Sequence, residues 1–447
     1  MKKAQKNESS ADKNSRRDFV KNTALFTGGA MLLPNLQMNA MGSAFKDKKL
    51  KIALVGCGGR GTGAAVQALK ADDNVELVAM ADAFEDRLKS SLMNISKELG
   101  ENKKVNVPDK NQFVGFDAAK KAIDMADVVI LATPPGFRPQ HFEYAVGQGK
   151  HVFMEKPVAT DVPGVRKVLA AAKLAKANNL NVVVGLQRHY QDSYLAAMEQ
   201  LKQDKIGKIV SGQIYWDGAG VWVRERKPEQ TELEYQMRNW YYFNWLCGDH
   251  ILEQHIHNID VANWFLGEYP VSAQGMGGRQ VRKGKDNGEI FDHHFVEYTY
   301  PSGAVIASQC RHQPETMSRV SEFFQGTKGT VSTEGDNATL KAWDGSTIFE
   351  HRGKDDPNPY QVEHIKLFQS IRNGGVLADA ENGAKSTMTA IMGRMATYSG
   401  KVITWKDAIE SNLDLAPDDL TWDSPAPVQP NADGWYEIPT PGKTVVM

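Results

Sequence analysis

The chain has 447 residues, and its 53 lysine and arginine residues nearly balance its 54 aspartate and glutamate residues, giving a formal net charge of −1. This balance gives no long-range attraction for nucleic acid, so we predict that the protein does not bind nucleic acid. The three cysteines are widely separated and form no CxxC pair, which argues against a disulfide scaffold or a zinc ribbon.

The first 48 residues have the features of an export signal followed by a linker. Residues 15–21 read SRRDFVK, and a modest apolar run extends from Ala24 to Leu33. The run is well short of the ~20 residues that a membrane span needs, and no cysteine lies near it, so we expect no membrane anchor. The stretch resembles the twin-arginine export motif, which implies a periplasmic protein exported already folded. The alternative is a charged start followed by a short amphipathic helix.

The next stretch predicts a dinucleotide-binding turn. An apolar strand from Lys51 to Val55 runs into the glycine-rich sequence GCGGRG, and a helical pattern follows. Glycines in a G-x-G-x-x-G turn permit the tight bend and let a pyrophosphate approach the helix N-terminus. The predicted cofactor contacts in this turn are Gly56, Gly58, Gly59, Arg60 and Gly61.

A second apolar strand ends at Asp82, about 20 residues after the last glycine of the turn, where a ribose-binding acid is expected. A carboxylate there accepts hydrogen bonds from both ribose hydroxyls and repels a 2′-phosphate. We therefore predict NAD as the cofactor, although Arg87 lies near enough in the sequence to keep NADP open. The alternative role of Asp82 is that of a strand-end cap.

Strands continue to alternate with helices as far as about residue 186. The segments ADVVILATPP, KHVFMEKP and NLNVVVGLQRHY each contain an apolar strand, so we predict a doubly wound parallel sheet. Ligand-binding groups are expected at the carboxyl ends of such strands. The residues at these ends are Thr133, Pro134, Glu155, Lys156 and Arg188.

The pattern of predicted strands and helices changes in the second half of the sequence. Strand-like runs follow one another without intervening helices, which indicates a mainly antiparallel sheet. The predicted fold class is therefore α/β, with a Rossmann domain at 49–186 and a second α/β domain with a large open, mainly antiparallel sheet at 187–410. Residues 411–447 are rich in proline and aspartate and are predicted to form an irregular extension.

A single helix is predicted from His250 onward, with His250, Glu253, Gln254, His257 and Asp260 on one face. Three interpretations of this polar face remain open. The first is acid–base catalysis, in which His257 removes a hydroxyl proton and Glu253 orients and tunes it. The second is a metal site formed by His250, Glu253 and His257, although no diagnostic ligand spacing is present. The third is a solvated face with a core histidine.

An aromatic run at 240–245 precedes this helix, with Trp216 and Trp222 further upstream. Flat aromatic rings suit the C–H faces of a pyranose, although core packing is the alternative role. The predicted substrate contacts are Arg188, Tyr242, Trp245, His250, Asp260 and His293. Further residues that could face the same cleft are Asp292, His294, Arg311 and His312.

Together, the G-x-G-x-x-G turn, the strand-end Asp82, the A-T-P-P and E-K-P motifs and the acid four residues before His257 resemble the Gfo/Idh/MocA oxidoreductase family. The resemblance implies that Lys156 lies beside the nicotinamide and hydrogen-bonds the reacting hydroxyl. It also maps the acid and histidine of the family's D-x-G-x-H stretch onto Glu253 and His257. The sequence here is E-Q-H-I-H, so Glu replaces Asp and His255 replaces Gly. Arg138 stands where many members have His.

The resemblance implies an NAD-dependent oxidoreductase that oxidises a secondary hydroxyl of a sugar or glycoside, at C3, and forms homo-oligomers. Because free NAD is scarce outside the cytoplasm, an exported enzyme is expected to retain its cofactor and to reoxidise it with a second sugar. The alternative is a redox-neutral glycosidase resembling glycoside hydrolase family 109, which retains NAD, although the intact E-K-P motif favours the dehydrogenase. A third interpretation is a non-catalytic protein that binds a sugar or senses the cofactor.

Overall fold

The computed structural model describes residues 45–100, 104–417 and 419–447. The twin-arginine stretch and most of the predicted linker lie outside these residues. Within the described part of the chain, no helix is both long and apolar enough to cross a membrane.

The first half forms a parallel sheet flanked by helices. Its strands are β1 (Leu50–Val55), β2 (Val75–Asp82), β3 (Gln112–Val114), β4 (Val128–Leu131), β5 (His151–Met154) and β6 (Val182–Val184). Its helices are α1 (Gly59–Ala71), α2 (Glu85–Leu99), α3 (Ala118–Asp124), α4 (Arg138–Gly147) and α5 (Val162–Ala177). The strand order is β3-β2-β1-β4-β5-β6, and all neighbouring strands are parallel. The predicted doubly wound Rossmann sheet is confirmed.

The chain order reverses between β1 and β4, which are neighbours in the sheet. Every residue of β1 except Lys51 is buried, and all four residues of β4 are buried, as expected for strands covered by helices on both faces. A crevice opens at the carboxyl ends of strands where such a reversal occurs. The glycine turn that follows β1 and the A-T-P-P motif that follows β4 therefore border the same crevice.

The second half is built on a nine-stranded sheet. Its strands are β7 (Ile209–Gly218), β8 (Ser272–Gly278), β9 (His293–Thr299), β10 (Val305–His312), β11 (Arg319–Gly326), β12 (Gly329–Glu334), β13 (Asn337–Ala342), β14 (Thr347–Arg352) and β15 (Ile403–Thr404). The order is β14-β13-β12-β11-β7-β10-β9-β8-β15. Only the β7–β10 pair among these described strands is parallel. The predicted mainly antiparallel sheet is confirmed.

The remaining helices link the two sheets. They are α6 (Asp192–Lys202), α7 (Glu232–Arg238), α8 (Asn244–Cys247), α9 (His250–Glu253), α10 (Ile256–Leu266), α11 (Pro359–Asn373), α12 (Ala380–Ser399) and α13 (Trp405–Ile409). Helix α11 returns to pack on α1, while α12 packs on α5 and on β8. The C-terminal helices therefore fix the second sheet against the first.

The predicted single helix from His250 is wrong, because the chain forms two helices with a break between them. Helix α9 ends at Glu253, and α10 begins at Ile256. Gln254 adopts φ −118° and ψ −50°, outside regular helical values. The amide groups of Gln254 and His255 both donate to the carbonyl of His250, so the turn widens at this point. The predicted common face of the five polar residues is therefore lost.

Candidate active site

A cavity of about 710 Å³ lies between the glycine turn of the first sheet and the elements around α9. Its volume is within the usual range for small-molecule and cofactor sites. All the residues predicted to contact a cofactor line it. These are Gly56, Gly58, Gly59, Arg60, Gly61, Asp82, Thr133, Pro134, Glu155 and Lys156. Glu253 and His257 line the opposite side of the same cavity.

The glycine turn is built so that its outer side stays open. Gly56 has φ +94°, and a Cβ there would lie 2.5 Å from the backbone of Ala132 and Thr133. A Cβ on Gly61 would lie 2.0 Å from the carbonyl oxygen of Gly56. By contrast, a Cβ on Gly58 or Gly59 would meet nothing within 4 Å. Helix α1 has no side-chain cap and no acid in its first turn, so its N-terminal amides suit an anion such as a pyrophosphate.

Asp82 supports this turn as well as facing the cavity. Its carboxylate accepts hydrogen bonds from the backbone amides of Cys57, at 2.7 Å, and Phe84, at 2.9 Å. Burial raises the pKa of Asp82, and these two amides and Arg87 oppose the rise. A carboxylate has about four acceptor positions, so Asp82 retains positions for ribose hydroxyls. The strand-end cap and the ribose contact are therefore compatible roles.

Lys156 and Glu253 meet across the cavity. The ammonium group of Lys156 lies 3.5 Å from Oε1 of Glu253 and also donates to the backbone carbonyl of Glu253. Burial raises the pKa of Glu253, while the charges of Lys156 and Arg138 act in the opposite direction. The pair joins the E-K-P loop after β5 to the end of α9, so the first domain and the second each supply one partner.

His257 lies on the first turn of α10, and its side chain is buried beside the cavity. Its ring stacks on Trp216, with centroids 5.8 Å apart. Burial lowers the pKa of His257 well below its ordinary value, and the positive charge of Lys156 lowers it further. The imidazole is therefore neutral at neutral pH and able to accept a proton.

The expectation that Glu253 orients His257 is wrong for this geometry. The hydrogen-bond partner of Glu253 is Lys156, and Nδ1 of His257 has no hydrogen-bond partner within the described residues. The break between α9 and α10 interrupts the regular helical spacing between the two residues. The contact that positions the imidazole ring is the stacking on Trp216.

Two arginines brace the loops that carry the site. Arg138 is fully buried and donates to the backbone carbonyls of Thr133, Glu155 and Pro157, so it connects the A-T-P-P and E-K-P motifs. Arg60 of the glycine turn lies 2.5 Å from Glu155 and 3.2 Å from the buried Glu363 of α11. Arg138 was singled out in the sequence as a departure from the family pattern, and its structural role follows from these contacts.

The six residues predicted to contact the substrate do not line the cavity. Arg188 forms a buried ion pair with Glu322, and the carboxylate of Asp260 is hydrogen-bonded to His189 and Asn382. Trp245 is buried and donates to Gln236. The sequence showed that these residues are polar or aromatic but not where their side chains point. Their polar atoms have hydrogen-bond or ion-pair partners within the protein.

The other three residues, Tyr242, His250 and His293, also have partners outside the cavity lining. Tyr242 is buried and donates to the carbonyl of Val221, while His250 is bonded to Asp249. His293 is bonded to Asp292 at 2.7 Å. The further candidates Asp292, His294, Arg311 and His312 also lie outside the cavity lining.

The metal site considered from His250, Glu253 and His257 is not assembled. Among the described residues, the group with suitable ligand atoms is Asp249, His250 and His294. The Asp249 carboxylate already accepts hydrogen bonds from His250, Tyr398 and the Phe291 amide. This group therefore forms a hydrogen-bonded part of the core.

Several residues that line the cavity were not among the predicted site residues. Trp216, Trp222, Arg224 and Trp240 line it in the second domain, together with Gln254. The aromatic pattern signalled the tryptophans, but the sequence offered no means of separating cavity-facing rings from core rings. Phe84 and Phe116 line it in the first domain.

Fold and site together define a two-domain oxidoreductase architecture, and two models of one protein family match the chain. The model described as an oxidoreductase family with an NAD-binding Rossmann fold matches residues 50–186. The model of the GFO/IDH/MocA C-terminal domain matches residues 194–332. Together they span more than half of the chain. The chain therefore belongs to the Gfo/Idh/MocA oxidoreductase family, and its first domain is an NAD-binding Rossmann fold.

Curated relatives are more distant. Inositol 2-dehydrogenase of Rhizobium meliloti is 26% identical over 49% of this chain and 60% of its own length. A glycosyl hydrolase family 109 protein of Shewanella baltica is 22% identical over 50% of this chain and 49% of its own length. The chain thus spans about half to three fifths of these two relatives.

Solved structures show the same fold over a larger share of the chain. Aldose-aldose oxidoreductase from Caulobacter crescentus, complexed with glycerol, has a TM-score of 0.62 and 18% identity, covering 80% of this chain and all of its own. Scyllo-inositol dehydrogenase from Lactobacillus casei, with bound NAD(H) and scyllo-inositol, has a TM-score of 0.60 and 23% identity, with the same coverage. At these identities, the likeness establishes the fold.

Proposed function

We propose that this protein is an NAD-dependent oxidoreductase that oxidises a secondary hydroxyl of a sugar, polyol or glycoside, with C3 of a pyranose as the expected position. One observation carries the proposal: Lys156, Glu253 and His257 line the same cavity as the glycine turn and Asp82. The names of inositol 2-dehydrogenase and scyllo-inositol dehydrogenase among the similar proteins support a polyhydroxylated substrate.

The residues present fit the cofactor. The open side of Gly58 and Gly59, the uncapped start of α1 and the acceptor positions of Asp82 suit its pyrophosphate and ribose. When bound, NAD accepts and returns a hydride. The protein supplies orientation and charge around the reacting carbinol.

His257 acts as the general base that takes the hydroxyl proton, because burial keeps its imidazole neutral. Lys156 donates a hydrogen bond to the same oxygen and stabilises the negative charge that develops there. Glu253 holds the ammonium of Lys156 in place through their 3.5 Å contact. The aromatic rings of Trp216, Trp222 and Trp240 provide flat apolar faces for the sugar ring.

We further propose that the protein is exported to the periplasm by the twin-arginine route with NAD already bound, as a homo-oligomer. The S-R-R-D-F-V-K sequence supports this route. Because the cofactor is not recycled by a soluble pool outside the cytoplasm, a second sugar is proposed to serve as the hydride acceptor.

The test uses folded protein purified with its retained cofactor and without added nicotinamide. The protein is mixed with glucosides, inositols and N-acetylgalactosaminides, while nicotinamide absorbance and released free sugar are followed together. Reduced nicotinamide that accumulates together with a keto product, with no free sugar, is the expected result. If none of these compounds yields either reduced nicotinamide or free sugar, the proposal is contradicted.

A redox-neutral glycosidase is the second candidate function, because a family 109 protein is among the relatives. In that case, free sugar accumulates over many turnovers while nicotinamide returns to its oxidised form. The intact E-K-P motif, with Lys156 placed at the cavity, favours the dehydrogenase.

A further inference from the structure

Gln254 lies at the break between α9 and α10, directly after Glu253, and its side chain lines the cavity. Its Oε1 lies 2.5 Å from Nε2 of His312, at the end of β10. Within the described residues, its amide nitrogen has no hydrogen-bond partner. The irregular backbone at this position is what turns the side chain toward both the cavity and His312.

His312 is held from its other side by Arg282. Nη2 of Arg282 lies 2.6 Å from Nδ1 of His312, and Nη1 of Arg282 donates to the carbonyl of Phe291. The ring of His312 stacks on His250, with centroids 4.5 Å apart, and on Tyr241 at 6.0 Å. Hydrogen bonds therefore link Arg282, His312 and Gln254 in a row and fix the position of all three side chains.

Donor and acceptor chemistry leaves one arrangement for this chain. A guanidinium group has donors and no acceptor, so Nδ1 of His312 must accept from Arg282. The single proton of the neutral imidazole is then on Nε2, which donates to Oε1 of Gln254. Burial and the charge of Arg282 lower the pKa of His312, so the neutral form persists. Oε1 is thereby directed at His312, which leaves the NH₂ group of Gln254 as the part of this lining residue that can donate to a bound molecule.

We infer that Gln254 is a specificity-determining residue whose amide donates a hydrogen bond to a second substrate oxygen, beside the one that reacts, and that His312 and Arg282 are positioning residues for it. This inference rests on the proposed function and adds to it the kind of group recognised. Substrates with an oxygen at that position bind well, whereas analogues that lack it leave the amide unpaired and are rejected.

The orientation of the amide is tested first without any substrate. Holoenzyme labelled with ¹⁵N in its histidines is studied by NMR, and His312 is assigned by comparison with His312→Phe. The expected state is neutral with the proton on Nε2 from pH 6 to pH 8. A proton on Nδ1, or a cationic ring, at neutral pH would overturn this hydrogen-bond arrangement.

The recognition is then tested with methyl glucosides, inositols and their single-deoxy analogues. For the wild-type protein, removal of one particular hydroxyl should lower kcat/KM by about 10- to 100-fold. Gln254→Leu should abolish that difference and raise KM more than it lowers kcat. Gln148→Leu, on the exposed end of α4, is the matched control and should behave as wild type.

The positioning role is tested by combining variants. His312→Phe keeps a ring between Tyr241 and His250 but frees the amide, so we expect a raised KM with a smaller effect of Gln254→Leu in its background. If Gln254→Leu discriminates among the analogues as wild type does, the inference fails while the proposed function stands. If the wild-type protein turns over none of the compounds, the proposed function fails and the inferred substrate contact fails with it.

Discussion

At the scale of single residues, burial and the charge of Lys156 together set the pKa values of His257 and Glu253. His257 is buried and Glu253 is half-buried, and desolvation favours the neutral form of each by lowering the pKa of His257 and raising that of Glu253. Lys156 adds a positive charge that lowers both pKa values. This charge therefore reinforces the neutral form of the His257 base and partly offsets the effect of burial on the Glu253 carboxylate that holds Lys156.

The pH dependence of the reaction is a first prediction at this scale. His257 accepts a proton only when neutral, and its pKa is lowered from the ordinary value of about 6.5. The value of kcat/KM should therefore stay constant as the pH falls to 6.5, with its acid limb at lower pH. His257→Gln should lower kcat by about 10²- to 10⁴-fold. An acid limb centred above pH 6.5 would contradict this assignment.

Arg138 carries a second prediction, which concerns stability. Arg138→Met leaves the backbone carbonyls of Thr133, Glu155 and Pro157, two of them in buried hydrogen bonds, without their donor. An unsatisfied buried polar group costs about 1–3 kcal/mol, so the free energy of unfolding should fall by about 3 kcal/mol in urea titrations. Arg352→Met, at an exposed side chain of β14, should change it by less than about 0.5 kcal/mol.

At the scale of elements, the glycine turn separates residues that shape the fold from residues that leave room for a ligand. Gly61 is packed against the carbonyl of Gly56, whereas Gly58 faces open space in the cavity. Both glycines belong to the same motif, so the sequence assigns them together. The atoms that an added Cβ would meet at each glycine distinguish the roles of the two residues.

This difference gives a third prediction. Gly58→Ala should fold with an unchanged Tm but bind NAD at least 10-fold more weakly, because the new methyl group occupies the open side of the turn. Gly61→Ala should lower the Tm even without cofactor, since its Cβ would lie 2.0 Å from a backbone oxygen. Calorimetry of the cofactor-free protein and titration with NAD separate the two effects. Equal losses of Tm in both variants would contradict this division.

At the scale of the whole molecule, the C-terminal extension crosses back to the first domain. Residues 411–417 and 419–447 contain no helix or strand, yet Trp422 packs on Phe84 and Phe116, with centroids 5.3 and 4.7 Å apart. Both phenylalanines line the cavity. The extension therefore supports the cavity wall from outside, on the side of the first sheet.

A fourth prediction follows for cofactor retention. Trp422→Ala removes the ring that backs Phe84 and Phe116, so NAD should dissociate at least several-fold faster while the Tm changes little. The measurement is the nicotinamide that remains bound after gel filtration and dialysis. Trp343→Ala, at an exposed ring between β13 and β14, should retain the cofactor as wild type does. If the two variants retain the same amount of NAD, the C-terminal extension has no role in cofactor retention.

The sequence by itself determined the doubly wound sheet, the antiparallel character of the second sheet and the glycines and strand-end residues that border the cavity. These depend on local signals, since buried strands, glycine turns and strand-end residues are set by periodicity and by backbone geometry. The same signals placed Lys156, because the carboxyl ends of parallel strands meet at one edge of the sheet.

Only the tertiary structure decided which polar and aromatic side chains face the cavity. The break after Glu253 lies where Gln254 contacts His312 of β10, a residue distant in the sequence, and local periodicity does not predict it. Arg188 pairs with Glu322 and Asp260 with His189, both distant in the sequence, whereas the ring of His250 is hydrogen-bonded to its neighbour Asp249. A buried polar group must find a hydrogen-bond partner, and the identity of that partner is fixed only when the elements have packed.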